Sequence, residues 1–187
     1  MVSNAMKFFG KTERLGFNPL SEDDIQARYY ENFFDSEQNH LSGHSKVPAN
    51  EESSRELLAD SRSGNSYRFS VTKLDSGIKI GVCSIQGIDY LNKKAEIARF
   101  LWDKDSVGLG FGTEILNYLI QFSFNKINLN KISMSSVSSN IAAKKSCLKV
   151  GFKLEGILRE QFYTDGKYLD VNYFGLLKGE YGKHFKK

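Results

Sequence analysis

Apolar and polar positions change period along the chain, and the changes mark out its elements. From 113 to 126 the apolar residues Ile115, Leu116, Leu119, Ile120, Phe122 and Phe124 return to one broad face, which predicts a helix there. KISMSSVS, 131 to 138, alternates β-branched or apolar with small polar side chains, the period of a strand. Three earlier runs share that character: YRFSVTKL from Tyr67, IKIGVCSIQGIDYL from Ile78, and EIARFLW over 96 to 102. Asp75-Ser76-Gly77 joins the first two as a hairpin, and Asn92-Lys93-Lys94 supplies the turn before the third. FKLEGILREQFYT and KYLDVNYFGLL flank Asp165-Gly166, a strong two-residue hairpin signal, and read as two final strands.

Capping chemistry sets the remaining helices. Ser21 stands before Glu22, Asp23 and Asp24, so a helix is expected from there to about Phe33, with a polar loop to Ala49 that contains Gly43 and Pro48. A second helix follows near Asn50 to Arg62, and Asn140 caps a shorter one to about Lys149, closed by Gly151. The order helix, helix, three strands, helix, strand, helix, hairpin describes an α/β three-layer domain: a mixed, mostly antiparallel sheet with helices on both faces. One domain over residues 6 to 180 is expected from 187 residues. Met1 to Ala5 read as a cloning remnant, and residues 181 to 187, with Lys183, Lys186 and Lys187, as a frayed basic tail.

Composition narrows the function classes. Twenty-six basic and 22 acidic residues give a net charge of +4 with no basic stripe, so no nucleic-acid partner is expected. Cys83 and Cys147 are far apart and form no ligand-spaced pair, which fits a reducing compartment and neither a disulfide scaffold nor a zinc site. The start has no apolar leader and no run approaches a membrane span, so the expectation is a cytoplasmic protein without membrane contact. His40 and His44 sit in a polar, glycine-containing stretch without HExxH, so no metal is expected.

The candidate chemistry begins at WDKDSVGLGFGTEIL, 102 to 116, where Gly108, Gly110 and Gly112 run straight into the best helix. Glycine lets another group approach the backbone closely, and a helix start offers unpaired amides and the positive end of a dipole. That combination suits a phosphate. It is neither a dinucleotide fingerprint nor a P-loop, since GLGFG follows antiparallel strands in mid-chain and Gly112-Thr113-Glu114 lacks the lysine. A glycine-rich turn with no ligand is the alternative.

The loop keeps company that decides more. AEIARFLWDKDSVGLGFGTEIL, SSNIAAKKSCLKVGFKLEG and LREQFYTDGKYLDVNYFGLL resemble, in order and spacing, the GNAT superfamily of N-acetyltransferases, nearest the branch of ribosomal-protein, polyamine and amino-sugar acetyltransferases. The resemblance runs from about Tyr67 to Leu177, and more loosely back to Asn18. It implies an acetyl-coenzyme A-dependent enzyme that transfers acetyl directly to a primary amine, on a small molecule or a protein N-terminus. A coenzyme A-binding module without turnover is the alternative, and the resemblance leaves monomer and homodimer open. It also implies that the backbone of Leu109, Gly110, Phe111, Gly112 and Thr113 holds the coenzyme pyrophosphate. Phe100, Leu101 and Trp102 would then lie along the pantetheine arm, with an amide of Leu101 or Trp102 facing the thioester oxygen. Asn140 would touch that arm or serve only as an N-cap. The family often has Arg or Gln at Val107 and a basic residue at Leu109, and here both charges are missing.

Acyl transfer to an amine needs the ammonium, near pKa 10.4, to lose a proton. Glu96 matches a glutamate common in the branch and is the candidate base; an exposed strand-end glutamate is the alternative. Cys147 stands where relatives often carry a tyrosine acid, yet a thiol near pKa 8.5 gains little by protonating another thiol. It is therefore either a pocket-lining residue or evidence that protonation is not limiting. The resemblance makes the first helix and the following loop a wall of the acceptor pocket, so Tyr30 and His40 are substrate-binding candidates. Aromatic residues at helical spacing are otherwise core.

Overall fold

The computed structural model describes residues 7 to 26, 51 to 101 and 103 to 184. Eight strands form one sheet in the order β1-β2-β3-β4-β5-β6-β8-β7. They are β1 (Gly10–Lys11), β2 (Leu15–Pro19), β3 (Tyr67–Lys73), β4 (Lys79–Asp89), β5 (Lys94–Leu101), β6 (Lys131–Val137), β7 (Lys153–Thr164) and β8 (Lys167–Leu177). The helices are α1 (Glu22–Gln26), α2 (Glu51–Arg62), α3 (Phe111–Gln121), α4 (Ile141–Lys149) and α5 (Lys178–His184). None of the described helices is long and apolar enough to cross a membrane.

Side-chain alternation puts helices on both faces. Phe69, Val71, Ile80, Ile97 and Ile132 join Ile115, Leu116 and Leu119 of α3 and Cys147 of α4 in one buried cluster, so α3 and α4 cover that face. The neighbours of those residues point the other way. Arg68 meets Asp60 of α2 at 3.4 Å, and Lys79 pairs with Asp24 of α1, so α1 and α2 belong to the opposite layer.

The predicted elements are present with small shifts at their ends, and the differences have physical causes. Residues 67 to 74 and 78 to 91 form the expected hairpin, trimmed to Tyr67–Lys73 and Lys79–Asp89. Asp165 (φ 48°) and Gly166 (φ 77°) make the last hairpin turn, both left-handed as such a turn requires. The helix expected to reach residue 126 is α-helical only to Gln121; Phe122 to Lys126 continue as one wider turn, in which the Ile127 amide reaches the Phe122 carbonyl. Strands β1 and β2 were not expected. Residues Lys178 to His184, partly assigned to a frayed tail, form α5 instead, tied down by the Glu180 carboxylate on the Leu177 amide at 3.1 Å.

One pairing in the sheet is parallel. β5 runs beside β6 only through Lys94↔Lys131, Ala95↔Ile132 and Glu96↔Ser133. Beyond Glu96 the two strands part, while β5 stays bonded to β4 as far as Gly81↔Leu101 and β6 stays bonded to β8 as far as Val137↔Val171. The sheet therefore opens in a wedge with its apex at Glu96.

Candidate active site

A cleft of about 510 Å³ fills the wedge. Its walls are β5 at Phe100 and Leu101, the loop with Gly108 and Gly110, and Asn140 at the start of α4. A volume of that size is ordinary for a small-molecule site.

At the mouth of α3, Gly108 and Gly110 have φ of 82° and 85°, where a side chain would strain the backbone. Gly110 is the N-cap residue and supplies no side chain to the helix. Among the described residues no acceptor meets the amides of Leu109, Gly110, Phe111 and Gly112, whereas the Thr113 amide is taken by the Gly110 carbonyl at 3.1 Å. Four open amides at a helix start form an anion cradle.

That mouth is held from outside. Glu114, one turn into α3, accepts from the Thr12 hydroxyl at 2.6 Å, the Arg14 amide at 2.9 Å and Arg14 Nε at 2.8 Å. Arg14 also donates to the Leu109 carbonyl at 3.0 Å and lies over the Phe111 ring at 4.4 Å. Burial works against the Glu114 carboxylate, but the hydrogen bonds from Thr12 and Arg14 overcome it and hold its pKa below the usual range. The loop conformation is thus set before any ligand arrives. The bend between β1 and β2 carries Thr12 and Arg14 past the loop, and no hydrophobic period in the sequence marks it.

The two faces of the wedge differ in chemistry. Glu96 points to the α1 and α2 side, half-buried, where Ser135 Oγ donates to its Oε1 at 2.8 Å. Arg99, three residues on, points to the α3 and α4 side and bonds Ser146 Oγ of α4. Ser136 shares that side. Its hydroxyl is buried, lines the cleft and has no hydrogen-bond partner among the described residues. Buried hydroxyls are normally satisfied, so an orphan in a cleft wall fits a ligand amide.

The expected site residues distribute as follows. Phe100, Leu101, Gly110, Gly112, Thr113 and Asn140 all line the cleft, with Leu109 and Phe111 in the same loop. The Phe111 ring itself is buried in the core, which leaves its amide to the cleft. Asn140 Oδ1 accepts from the Ala143 amide at 2.9 Å, so the cap is made. Cys147 is fully buried beneath the lining, with Sγ 3.5 Å from Met134 Sδ. Burial pushes its thiol pKa up, opposed by the Arg99 guanidinium. Trp102, Tyr30 and His40 lie outside the described residues. No group of metal-ligating side chains occurs among the described residues.

A family model described as an acetyltransferase (GNAT) domain matches residues 20 to 173. The chain belongs to the GNAT acetyltransferase family. The uncharacterised N-acetyltransferase p20 of Bacillus licheniformis is 35% identical over 118 residues, 63% of this chain and 66% of that protein. The spermidine N(1)-acetyltransferase of Vibrio cholerae is 30% identical over 54% of this chain and 58% of its own length. The ribosomal-protein-serine acetyltransferase of Escherichia coli is 32% identical over 59% of this chain and 60% of its own. These matches span under two thirds of the relatives' length. In fold, the crystal structure of the Vibrio cholerae spermidine enzyme with CoA and spermine superposes with a TM-score of 0.79 at 23% identity, covering 91% of this chain and 99% of that one. The eight-stranded, mostly antiparallel sheet with its layers of helices is the GNAT fold.

Proposed function

We propose that this protein is an acetyl-coenzyme A-dependent N-acetyltransferase that transfers acetyl directly to a primary amine. The observation that carries the reading is the wedge between β5 and β6, with four open amides at one end and a glutamate at its apex. Those features suit the two ends of one reaction. The amides of Leu109 to Gly112 and the α3 dipole receive the pyrophosphate, each favourable charge gaining roughly 0.3–1 kcal/mol. The Ser136 hydroxyl and the edge of β5 take the pantetheine amides. Bound acetyl-coenzyme A supplies the activated acetyl group as a thioester.

Glu96 acts from the opposite face. It accepts the proton of the ammonium directly or through water, and Ser135 holds the carboxylate in place for that task. The amine nitrogen then bonds to the acetyl carbon, the carbon–sulfur bond breaks, and the thiolate leaves while the second nitrogen proton passes to it or to water. The Leu101 amide stabilises the oxygen that gains charge in between. Amine acceptors fit the relatives, which include a spermidine and a ribosomal-protein acetyltransferase.

The test is release of free thiol from acetyl-coenzyme A when the pure protein meets a panel of polyamines, amino sugars and peptides with free N-termini. Turnover with one class names the acceptor. Coenzyme A binding without turnover on any amine would favour a binding module instead. On the active amine, Glu96→Gln is expected to lower kcat about 10²-fold or more at neutral pH. Part of that loss should return as rising pH supplies free amine, so a pH profile unchanged in height and shape sinks the role of Glu96.

A further inference from the structure

The wall of the cleft carries a cation that meets no anion among the described residues. Arg99 places its guanidinium between the starts and faces of two helices. Nη2 donates to Ser146 Oγ of α4, Nη1 lies 3.5 Å from Met134 Sδ, and Nε stands 3.0 Å from the point where a Cβ on Gly112 would sit. Its titratable neighbours are the thiols of Cys147 and Cys83, and no carboxylate among the described residues pairs with it. Burial pulls this guanidinium below its usual pKa, with both thiols opposing.

This placement is unfavourable for the protein alone. A partly buried guanidinium without a counter-charge loses hydration, and the positive end of the α3 dipole beside it adds repulsion. Meanwhile the loop above has no cation of its own, since no basic residue lies between Asp105 and Thr113. Val107 and Leu109 turn apolar side chains outward, 50% and 57% exposed. Arg14, the guanidinium on the outer side, is already bound to Glu114 and the Leu109 carbonyl. One anion with two or more charges, set on the amides of Leu109 to Gly112, would relieve every one of these costs at once.

We propose that Arg99 grips the pyrophosphate of coenzyme A from the inner side of the glycine loop and supplies the charge that the loop lacks. The inference rests on the coenzyme A reading above and sharpens it, because it assigns the anion contact to a strand residue under the loop. Gly112 belongs to the same device: a side chain there would press on the guanidinium, whereas glycine lets the two lie close.

The experiment compares coenzyme A with pantetheine, which keeps the thiol arm and lacks the pyrophosphate. Binding to the whole protein is measured by calorimetry for the wild type, Arg99→Gln and Arg99→Lys, with thermal unfolding of each variant without ligand as the check on folding. Glutamine keeps a donor for Ser146 and removes the charge. Coenzyme A affinity is expected to fall about tenfold to a hundredfold in Arg99→Gln, the loss of one charge-assisted contact, and to recover partly in Arg99→Lys. Pantetheine affinity should stay within twofold of wild type in both. An equal loss for the two ligands, or no loss for coenzyme A, overturns the role of Arg99 and leaves the coenzyme A reading standing. A wild type that binds neither ligand overturns both.

Discussion

Two helices open onto the same cleft, and their mouths are built by opposite rules. At α4 the chain finishes its own work: Asn140 Oδ1 takes the Ala143 amide, and the Asn140 and Ile141 amides reach the Val137 and Ser139 carbonyls at 2.9 Å each. At α3 the N-cap position is a left-handed glycine, and four successive amides meet nothing among the described residues. The first mouth uses a residue that stabilises the helix start; the second omits one and keeps its shape through Arg14 and Glu114 on the outside. A helix that only has to begin takes an asparagine. One that leaves its amides open is braced from elsewhere.

The largest effect on this contrast is expected from Gly110→Val. A β-branched residue at φ 85° costs about 1–3 kcal/mol of strain, so the loop will move and its amides will no longer converge. Coenzyme A affinity should drop about a hundredfold or more by calorimetry, against a modest fall in melting temperature. Unchanged affinity would mean that the open amides are not the anion site.

How far the sequence reveals this contrast depends on what each part is made of. The α3 face, the β3–β4 and β7–β8 hairpins and the Asn140 cap are local patterns, readable from period, turn dipeptides and a capping residue. The glycines of the loop are legible for the same reason. The bracing is not, because Thr12 and Arg14 reach Glu114 across about a hundred residues from a short polar bend between β1 and β2 that has no period of its own. Arg99 is not legible in the same way, since a single arginine in a strand pattern has no signature. Its meaning comes from what lies opposite: Gly112, Ser146 and, among the described residues, no carboxylate. Cys147 shows the reverse limit. Its register with a tyrosine of relatives suggests the site, whereas its burial follows from packing against Met134 that no spacing displays.

A smaller and pH-dependent effect should come from the bracing. Glu114 has its folded pKa held below the unfolded value of about 4.3, so its stabilisation is present above that pH and is lost as pH falls through the lower folded value. Glu114→Gln should therefore be less stable than wild type at pH 7, and the gap in thermal midpoint should close on acidification below about pH 4. Coenzyme A affinity should weaken only several-fold, since the glycines remain. A gap that widens in acid would reverse the sign argued for this carboxylate.

Asn140→Ala probes the other mouth. Removing the cap should cost about 0.5–2 kcal/mol of stability, measured by urea unfolding, while coenzyme A affinity moves by no more than a few-fold. A tenfold loss of affinity with stability unchanged would show that this asparagine serves the ligand first, and that the two mouths are less different than their hydrogen bonds indicate.

The smallest effect on turnover is expected at Cys147, the buried residue between the two mouths. Its side chain is sealed behind Met134 and Arg99 and lies outside the cleft lining, and burial raises its pKa, which makes the thiol a still poorer acid at neutral pH. A well-matched general acid contributes roughly 10²–10⁴-fold, so a true acid could not be removed quietly. Cys147→Ala should nevertheless keep kcat within a few-fold of wild type, because the start of α4 near Asn140 can stabilise a leaving thiolate without a proton from this position. With the sulfur fully buried, Cys147→Tyr should overpack the core by about 1–3 kcal/mol and bring no gain in rate. Steady-state kinetics of the two variants decide the matter. A hundred-fold fall in kcat for Cys147→Ala, with folding and coenzyme A affinity intact, would place the thiol among the reacting groups after all.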